Sequence, residues 1–199
     1  MGKLIAKTAI ATLGAIIALL LVLFMIFHFF VPSVMLKTTS AFGMDKPALK
    51  YSVKVYERSN DLDDLKDVLY RANDLDDYAV VVKYSPKMFE DDGFVAFCDS
   101  QPVSEISYKS YVISSYIFAL QEDGATPRDI IDKSKNLYDA FYVTGYEAYN
   151  PYHALATVAL SFDNAGKDEV LSLLNNVVCD GQDAQLLNAN VSTIINSKN

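Results

Sequence analysis

The sequence predicts an all-α protein, with an N-terminal transmembrane helix followed by a short α-solenoid of antiparallel helical hairpins. Three observations predict this fold. An uncharged apolar run lies near the N-terminus, apolar residues recur at helical spacing beyond it, and residues that start or stop helices divide those stripes into short segments. The implied organisation is a tail at 1–7, a transmembrane helix at 8–31, a linker at 32–45 and a helical-repeat domain at 46–199.

The apolar run extends from Thr8 to Val31 and contains no Asp, Glu, Lys or Arg. As a helix it would be roughly 36 Å long, against about 30 Å for the hydrocarbon core of a bilayer. Secretory signals have apolar regions of only about 7–15 residues, so the run predicts an uncleaved signal anchor, with cleavage after Ala41 as the alternative. The sequence therefore predicts a single-pass membrane protein that contacts the lipid bilayer through residues 8–31.

The charges on the two sides of this run nearly balance, so the positive-inside rule barely decides its orientation. The amino terminus, Lys3 and Lys7 precede the run, and Lys37, Lys46 and Lys50 follow it. A short tail before a long apolar run is typical of a signal anchor. We therefore expect a cytoplasmic amino terminus and an extracytoplasmic C-terminal domain.

Small residues recur one turn apart within the run, at Ala11, Gly14, Ala15 and Ala18. Small side chains let a second helix approach closely in a membrane. Simple anchoring is the interpretation that we favour, and pairing of the transmembrane helix, which would give a homo-oligomer, is the alternative.

The rest of the chain is acidic. All 25 acidic residues follow residue 36, together with 15 of the 17 basic residues. Such a surface repels phosphate groups, and the sequence shows no local basic cluster that would offset this. We expect no nucleic-acid partner and no attachment to anionic lipid through a basic patch.

A five-residue segment, NDLDD, occurs at 60–64 and again at 73–77. A calcium-binding loop needs a glycine at its turn and a distal glutamate, and neither copy has them. An aspartate at the N-cap with an acid three residues later is typical of a helix start. Asp61 with Asp64, and Asp74 with Asp77, are predicted to start two helices, and we expect no metal site and no cofactor.

Further helical stripes follow in order. Residues 108–119 form one stripe, Thr126-Pro127 opens a second, Asn150-Pro151 opens a third that Gly166 is predicted to close, and two more lie at 170–178 and 183–197. Pro86 is predicted to kink or end its helix. Residues 93–99 are predicted to form a short helix, with a strand as the alternative.

The stretch 155–179 carries the strongest family resemblance. Its small, aromatic, glycine and second-helix positions are Ala159, Phe162, Gly166, Val170, Leu174 and Val177. This pattern resembles a degenerate tetratricopeptide repeat, extending over roughly 46–179 without the family's tryptophan and terminal proline. The resemblance implies a protein-binding scaffold and brings no catalytic residues.

Four tyrosines, Tyr142, Tyr146, Tyr149 and Tyr152, crowd one helix junction. Packing between helices is the interpretation that we favour for this cluster. Each tyrosine also supplies a flat apolar face and a hydroxyl, so a surface that binds a peptide or a glycan is the alternative.

Cys98 and Cys179 lie far apart and lack metal-ligand spacing. Two buried free thiols are the interpretation that we favour, and a disulfide between them, if the domain is exported, is the alternative. Either cysteine could also pair with His153 in a catalytic site, although the chain has no nucleophile signature.

These observations predict a membrane-anchored protein-interaction scaffold, an accessory subunit of a membrane or envelope complex that binds another protein and is not an enzyme. An extracytoplasmic binding protein for a peptide or glycan, using the tyrosine cluster, is the alternative.

Overall fold

The computed structural model describes residues 2–102, 107–144 and 149–198, with the side chains of 2–7, 9 and 142–144 outside this description. The chain is 83% helical, and the described residues form 11 α-helices and no strand, so the all-α prediction is confirmed. The helices are α1 (Gly2–Phe30), α2 (Pro32–Ala41), α3 (Asp45–Ser59), α4 (Leu62–Asp74), α5 (Tyr78–Phe89), α6 (Phe94–Ser100), α7 (Tyr108–Glu122), α8 (Pro127–Thr144), α9 (Asn150–Val158), α10 (Asn164–Leu174) and α11 (Gly181–Asn196).

The chain divides into two compact units, Met1–Leu75 and Asp76–Asn199. The first contains α1 to α4 and the second contains α5 to α11. The division differs from the predicted one in two ways. The predicted linker at 32–45 contains a helix, α2, and the boundary falls within the predicted domain 46–199.

Helix α1 contains one segment, Ile10–Phe30, that is long and apolar enough to cross a membrane, with a mean hydropathy of 2.9. None of that apolar stretch is buried within the protein. The helix ends because Pro32, which has no backbone N–H, begins α2 one residue later.

In the first unit, α3 packs against α2 on one side and α4 on the other. The spacing of the apolar residues explains this, because α3 and α4 each direct one stripe inward. The buried residues of the two helices are Ala48, Leu49, Tyr51, Ser52, Tyr56, Leu65, Val68, Leu69 and Ala72.

In the second unit, α9 lies at the centre and packs against α7, α8, α10 and α11. Helix α7 also packs against α5 and α8, and α8 packs against α10. Odd-numbered helices thus contact one another in succession, from α5 through α7 and α9 to α11. The largest fully buried side chains of this unit include Tyr84, Met88, Ile113, Ile117, Ile130, Leu155, Leu174 and Ile194.

Only the first NDLDD copy starts a helix at the predicted aspartate. Asp61 caps α4 by accepting a hydrogen bond from the Asp63 backbone N–H at 2.8 Å. In the second copy Asp74 is the last residue of α4, and Asp77 caps α5 instead. The position of each cap is set by a left-handed turn of the backbone. Asn60 and Asp76 have positive φ, and each directly precedes the aspartate that caps the next helix.

The helix opened by Asn150-Pro151 ends earlier than predicted. It stops at Val158 and continues as a 3₁₀ turn, Ala159–Ser161. Gly166 does not close it but lies in the first turn of α10, where its backbone N–H donates to Asp163 Oδ1 at 2.8 Å. A side chain there would meet Phe162 at 3.1 Å, so a glycine fits this close approach.

The segment around Pro86 forms helices on both sides of a short turn. Helix α5 continues through Pro86 to Phe89, less than one turn beyond the proline. Residues Phe94–Ser100 form α6, which confirms the helix predicted at 93–99. This segment brings Phe89 and Phe94 into edge contact, with ring centroids 5.6 Å apart.

Candidate functional site

The described tyrosines of the predicted cluster lie inside the protein. Tyr149, just before α9, is 1% exposed and Tyr152, in the first turn of α9, is 4% exposed. The Tyr152 ring stacks on Tyr138 of α8, with centroids 4.2 Å apart and planes 6° from parallel. Burial, with the nearby charge of Asp139, raises the pKa of Tyr152 to about 12. These two rings therefore pack α8 and α9 together.

The Tyr149 hydroxyl has an internal partner. Asn190 Nδ2, on α11, donates to Tyr149 Oη at 3.0 Å and to His153 Nδ1 at 2.8 Å. One amide thus satisfies two polar groups at the start of α9, since its two N–H bonds point to different acceptors. The sequence did not predict this link between α9 and α11.

Tyr146 lies outside the described residues, as does the side chain of Tyr142. Their role in binding a partner stays a prediction. Because Tyr149 and Tyr152 are core residues, a surface made by all four tyrosines would need rearrangement of α9.

The two cysteines are free thiols. Cys98 is buried in α6, and burial raises the pKa of its thiol to about 12. Cys179 follows α10, and its pKa is also raised, by burial and then by Asp183 and Asp180. Nucleophilic cysteines have lowered pKa values, so both environments oppose the thiolate form that catalysis with His153 would need.

The small residues of α1, Ala11, Gly14, Ala15 and Ala18, are all exposed. A side chain added at Gly14 would meet nothing within 4 Å. Their use in pairing with a second helix stays a prediction.

A groove is bounded by three helices: the C-terminal end of α5, the start of α6 and the C-terminal end of α8. Phe94 contacts Phe89 on one side and Phe141 on the other, with the Phe141 centroid 5.9 Å away. Leu137 and Val95 complete the apolar floor. The groove has a volume of about 250 Å³, slightly below the range of about 300–1,000 Å³ for small-molecule sites. It suits one or two side chains of a peptide.

Three consecutive acids, Glu90, Asp91 and Asp92, form one rim of this groove. All three are exposed. Asp91 shapes the turn, because its Oδ1 accepts from the Gly93 backbone N–H at 2.7 Å. Across the described part of the chain, the salt bridges involve other carboxylates. The rim therefore presents negative charge beside apolar surface; this groove and its rim are called the acidic groove below.

A second polar cluster lies at the end of α1. His28 Nδ1 lies 2.5 Å from the Tyr51 hydroxyl, and Lys54 Nζ lies 3.3 Å from His28 Nε2. Arg58 donates to the backbone carbonyl oxygens of Phe29 and Phe30. Three residues on one face of α3 thus hold the last turn of the apolar helix.

Sequence reasoning missed both the acidic groove and the cluster around His28. The groove had a local signal, since an acidic triplet precedes the apolar residues 94–97. The cluster had none, because its partners lie 23 to 29 positions apart. Comparison of the chain with known protein families, with curated proteins and with solved structures finds no match.

Proposed function

We propose that this chain is a single-pass membrane-anchored protein-interaction scaffold, an accessory subunit of a membrane or envelope complex with no catalysis of its own. The observation that carries the proposal is the acidic groove. Its apolar floor can take an apolar side chain of a partner, and its carboxylates favour flanking lysine or arginine. The partner is therefore a protein segment in which an apolar residue lies beside basic residues.

Two further features support this proposal. Helix α1 has the length and hydropathy of a membrane anchor. The succession of contacts from α5 through α7 and α9 to α11 is also compatible with a helical-repeat scaffold, because in a solenoid each hairpin packs on the next one. The raised pKa values of Cys98 and Cys179 support a role without thiol catalysis.

Site-specific photocrosslinking in native membranes tests the groove. A benzophenone amino acid at Val95, which lines the groove, is expected to capture a defined partner. The same amino acid at Ala96, exposed on the next position of α6, is the matched control. Equal products from the two positions would contradict the proposal.

Charge reversal tests the rim. Glu90→Lys with Asp92→Lys should abolish the Val95 product, because the basic partner would then be repelled. Glu122→Lys with Asp123→Lys, at exposed acids near the end of α7, should leave the product unchanged. Retention of the product in the rim variant would argue against recognition by charge.

We also propose that the second unit is extracytoplasmic, as the signal-anchor pattern favours. A cysteine introduced at exposed Asp123, in a Cys98→Ser, Cys179→Ser background, is expected to react with a membrane-impermeant thiol reagent in intact cells. Reaction only after lysis would place the unit in the cytoplasm, and the partner search would move there.

A further inference from the structure

Basic residues concentrate in the segment that follows α1. Residues 32–59 contain five lysines or arginines and two acids, whereas residues 60–199 contain ten basic and 23 acidic residues. The segment of α2 and α3 therefore carries net positive charge, whereas the sequence after it is acidic, beginning with α4, which packs against α3.

Four of these cations share one face of α3. Lys46, Lys50, Lys54 and Arg58 follow one another at intervals of four residues. At 100° per residue they span an arc of about 120°, and successive members are about 6 Å apart along the axis. These four residues are called the basic stripe.

Contacts with α1 hold one end of the basic stripe beside the last turn of that helix. Arg58 bonds the carbonyl oxygen of Phe30, and Lys54 contacts His28. Both partners belong to the last turn of the apolar helix, where hydrocarbon gives way to headgroups if α1 spans a bilayer. Lys50 and Lys46 continue the same face away from this point.

The outer half of the stripe is available to a ligand. Lys46 and Lys50 are exposed, and neither belongs to a salt bridge within the described residues. The acids of α3 are Asp45 and Glu57, one at each end. Lysines near an anionic membrane surface gain free energy from it without a specific pocket.

We propose that the basic stripe binds the phosphate groups of anionic phospholipids in the leaflet at which α1 ends. The inference rests on the proposed membrane anchoring and assigns a lipid preference to it. It revises the expectation of no basic patch, because spacing on α3 and contact with α1 assemble a cluster that is dispersed in the sequence.

The experiment uses the full chain reconstituted in vesicles of phosphatidylcholine with a minority of phosphatidylglycerol. Spin-labelled lipids of each class report which one the protein immobilises. The wild-type chain should prefer phosphatidylglycerol by roughly threefold or more, and 1 M salt should remove the preference because the Debye length falls to about 3 Å. Lys46→Gln with Lys50→Gln should lower the preference, because it removes two of the four cations of the stripe.

Lys133→Gln with Lys135→Gln, at exposed lysines of α8, removes the same charge elsewhere and should keep the preference. Lys54 and Arg58 stay intact because they hold α1. A wild-type chain without preference, or a stripe variant that keeps it, would overturn the inference. Carbonate extraction distinguishes a missing lipid preference from a failure of membrane anchoring. A chain without a membrane span would be released from the vesicles by carbonate in every variant.

Discussion

Arg58 Nη1 donates a hydrogen bond to the carbonyl oxygen of Phe30 across 2.9 Å, although the two residues are 28 positions apart. The last carbonyl groups of a helix have no partner within it, and their partial negative charge attracts a cation. Arg58 satisfies two of them, since it also bonds the carbonyl of Phe29. This contact orients α3 relative to the end of α1.

Arg58→Ala is expected to lower the free energy of unfolding by about 1 kcal/mol, because two charge-assisted hydrogen bonds at an exposed site are lost. Chemical denaturation in detergent micelles measures the change. Arg71→Ala removes a partly exposed ion pair with Asp67, one helical turn away, and as the control it should cost about 0.3–0.5 kcal/mol. Equal losses would show that the carbonyl contacts contribute nothing specific.

Ser85→Ala is expected to raise the free energy of unfolding by about 1 kcal/mol. The Ser85 hydroxyl is buried and finds no partner among the described residues, so its removal relieves a desolvation cost. Ser134→Ala is the matched control, because the equally buried Ser134 hydroxyl donates to the Ile130 carbonyl at 2.8 Å. A Tm that rises for Ser134→Ala and falls for Ser85→Ala would reverse this account.

The helix caps give a test of the repeated NDLDD segment. Asp61→Ala and Asp77→Ala should each lower the free energy of unfolding by about 1 kcal/mol, with the smaller loss at Asp77, whose bond to the Val80 N–H is longer at 3.4 Å. Asp74→Ala should change it little, since Asp74 ends α4 and caps no helix. Urea unfolding that ranks Asp74 above Asp77 would restore the helix start predicted from the sequence.

Thiol chemistry should separate the two cysteines. The pKa of Cys98, about 12, exceeds the ordinary value of 9.0, so the folded protein keeps this thiol protonated at pH 8. Iodoacetamide should therefore modify Cys179 first, and Cys98 only after urea unfolding, as mass spectrometry would show. The raised pKa of Cys98 also makes stability depend on pH. The unfolded chain loses the thiol proton near pH 9 and the folded protein only near pH 12, so the free energy of unfolding falls as pH rises above about 9. Rapid modification of folded Cys98 would contradict its burial.

The helices could be predicted because each depends on residues close in sequence. The stripe from Leu65 to Ala72 sets α4, and Thr126-Pro127 starts α8, where Thr126 Oγ1 accepts from the Asp129 backbone N–H at 3.2 Å. The start of α5 was missed because a left-handed turn at Asp76 moved the cap by three residues.

The candidate sites depend on residues that are distant in sequence, so periodicity alone could not assemble them. The acidic groove combines the ends of α5 and α8, and Phe94 meets Phe141 across 47 positions of chain. The bond from Asn190 to Tyr149 spans 41 positions. The tyrosine density was visible in sequence, but its burial depended on where α8 and α11 pack.

The contacts between α3 and the end of α1 couple the first unit to the orientation of that helix. The apolar segment of 21 residues is about 31 Å long as a helix, close to the thickness of an average hydrocarbon core. A thinner bilayer tilts such a helix. Because Arg58 and Lys54 hold its last turn, α3 would follow such a tilt if α1 spans a bilayer, and bilayer thickness would then bear on the orientation of the first folded helices.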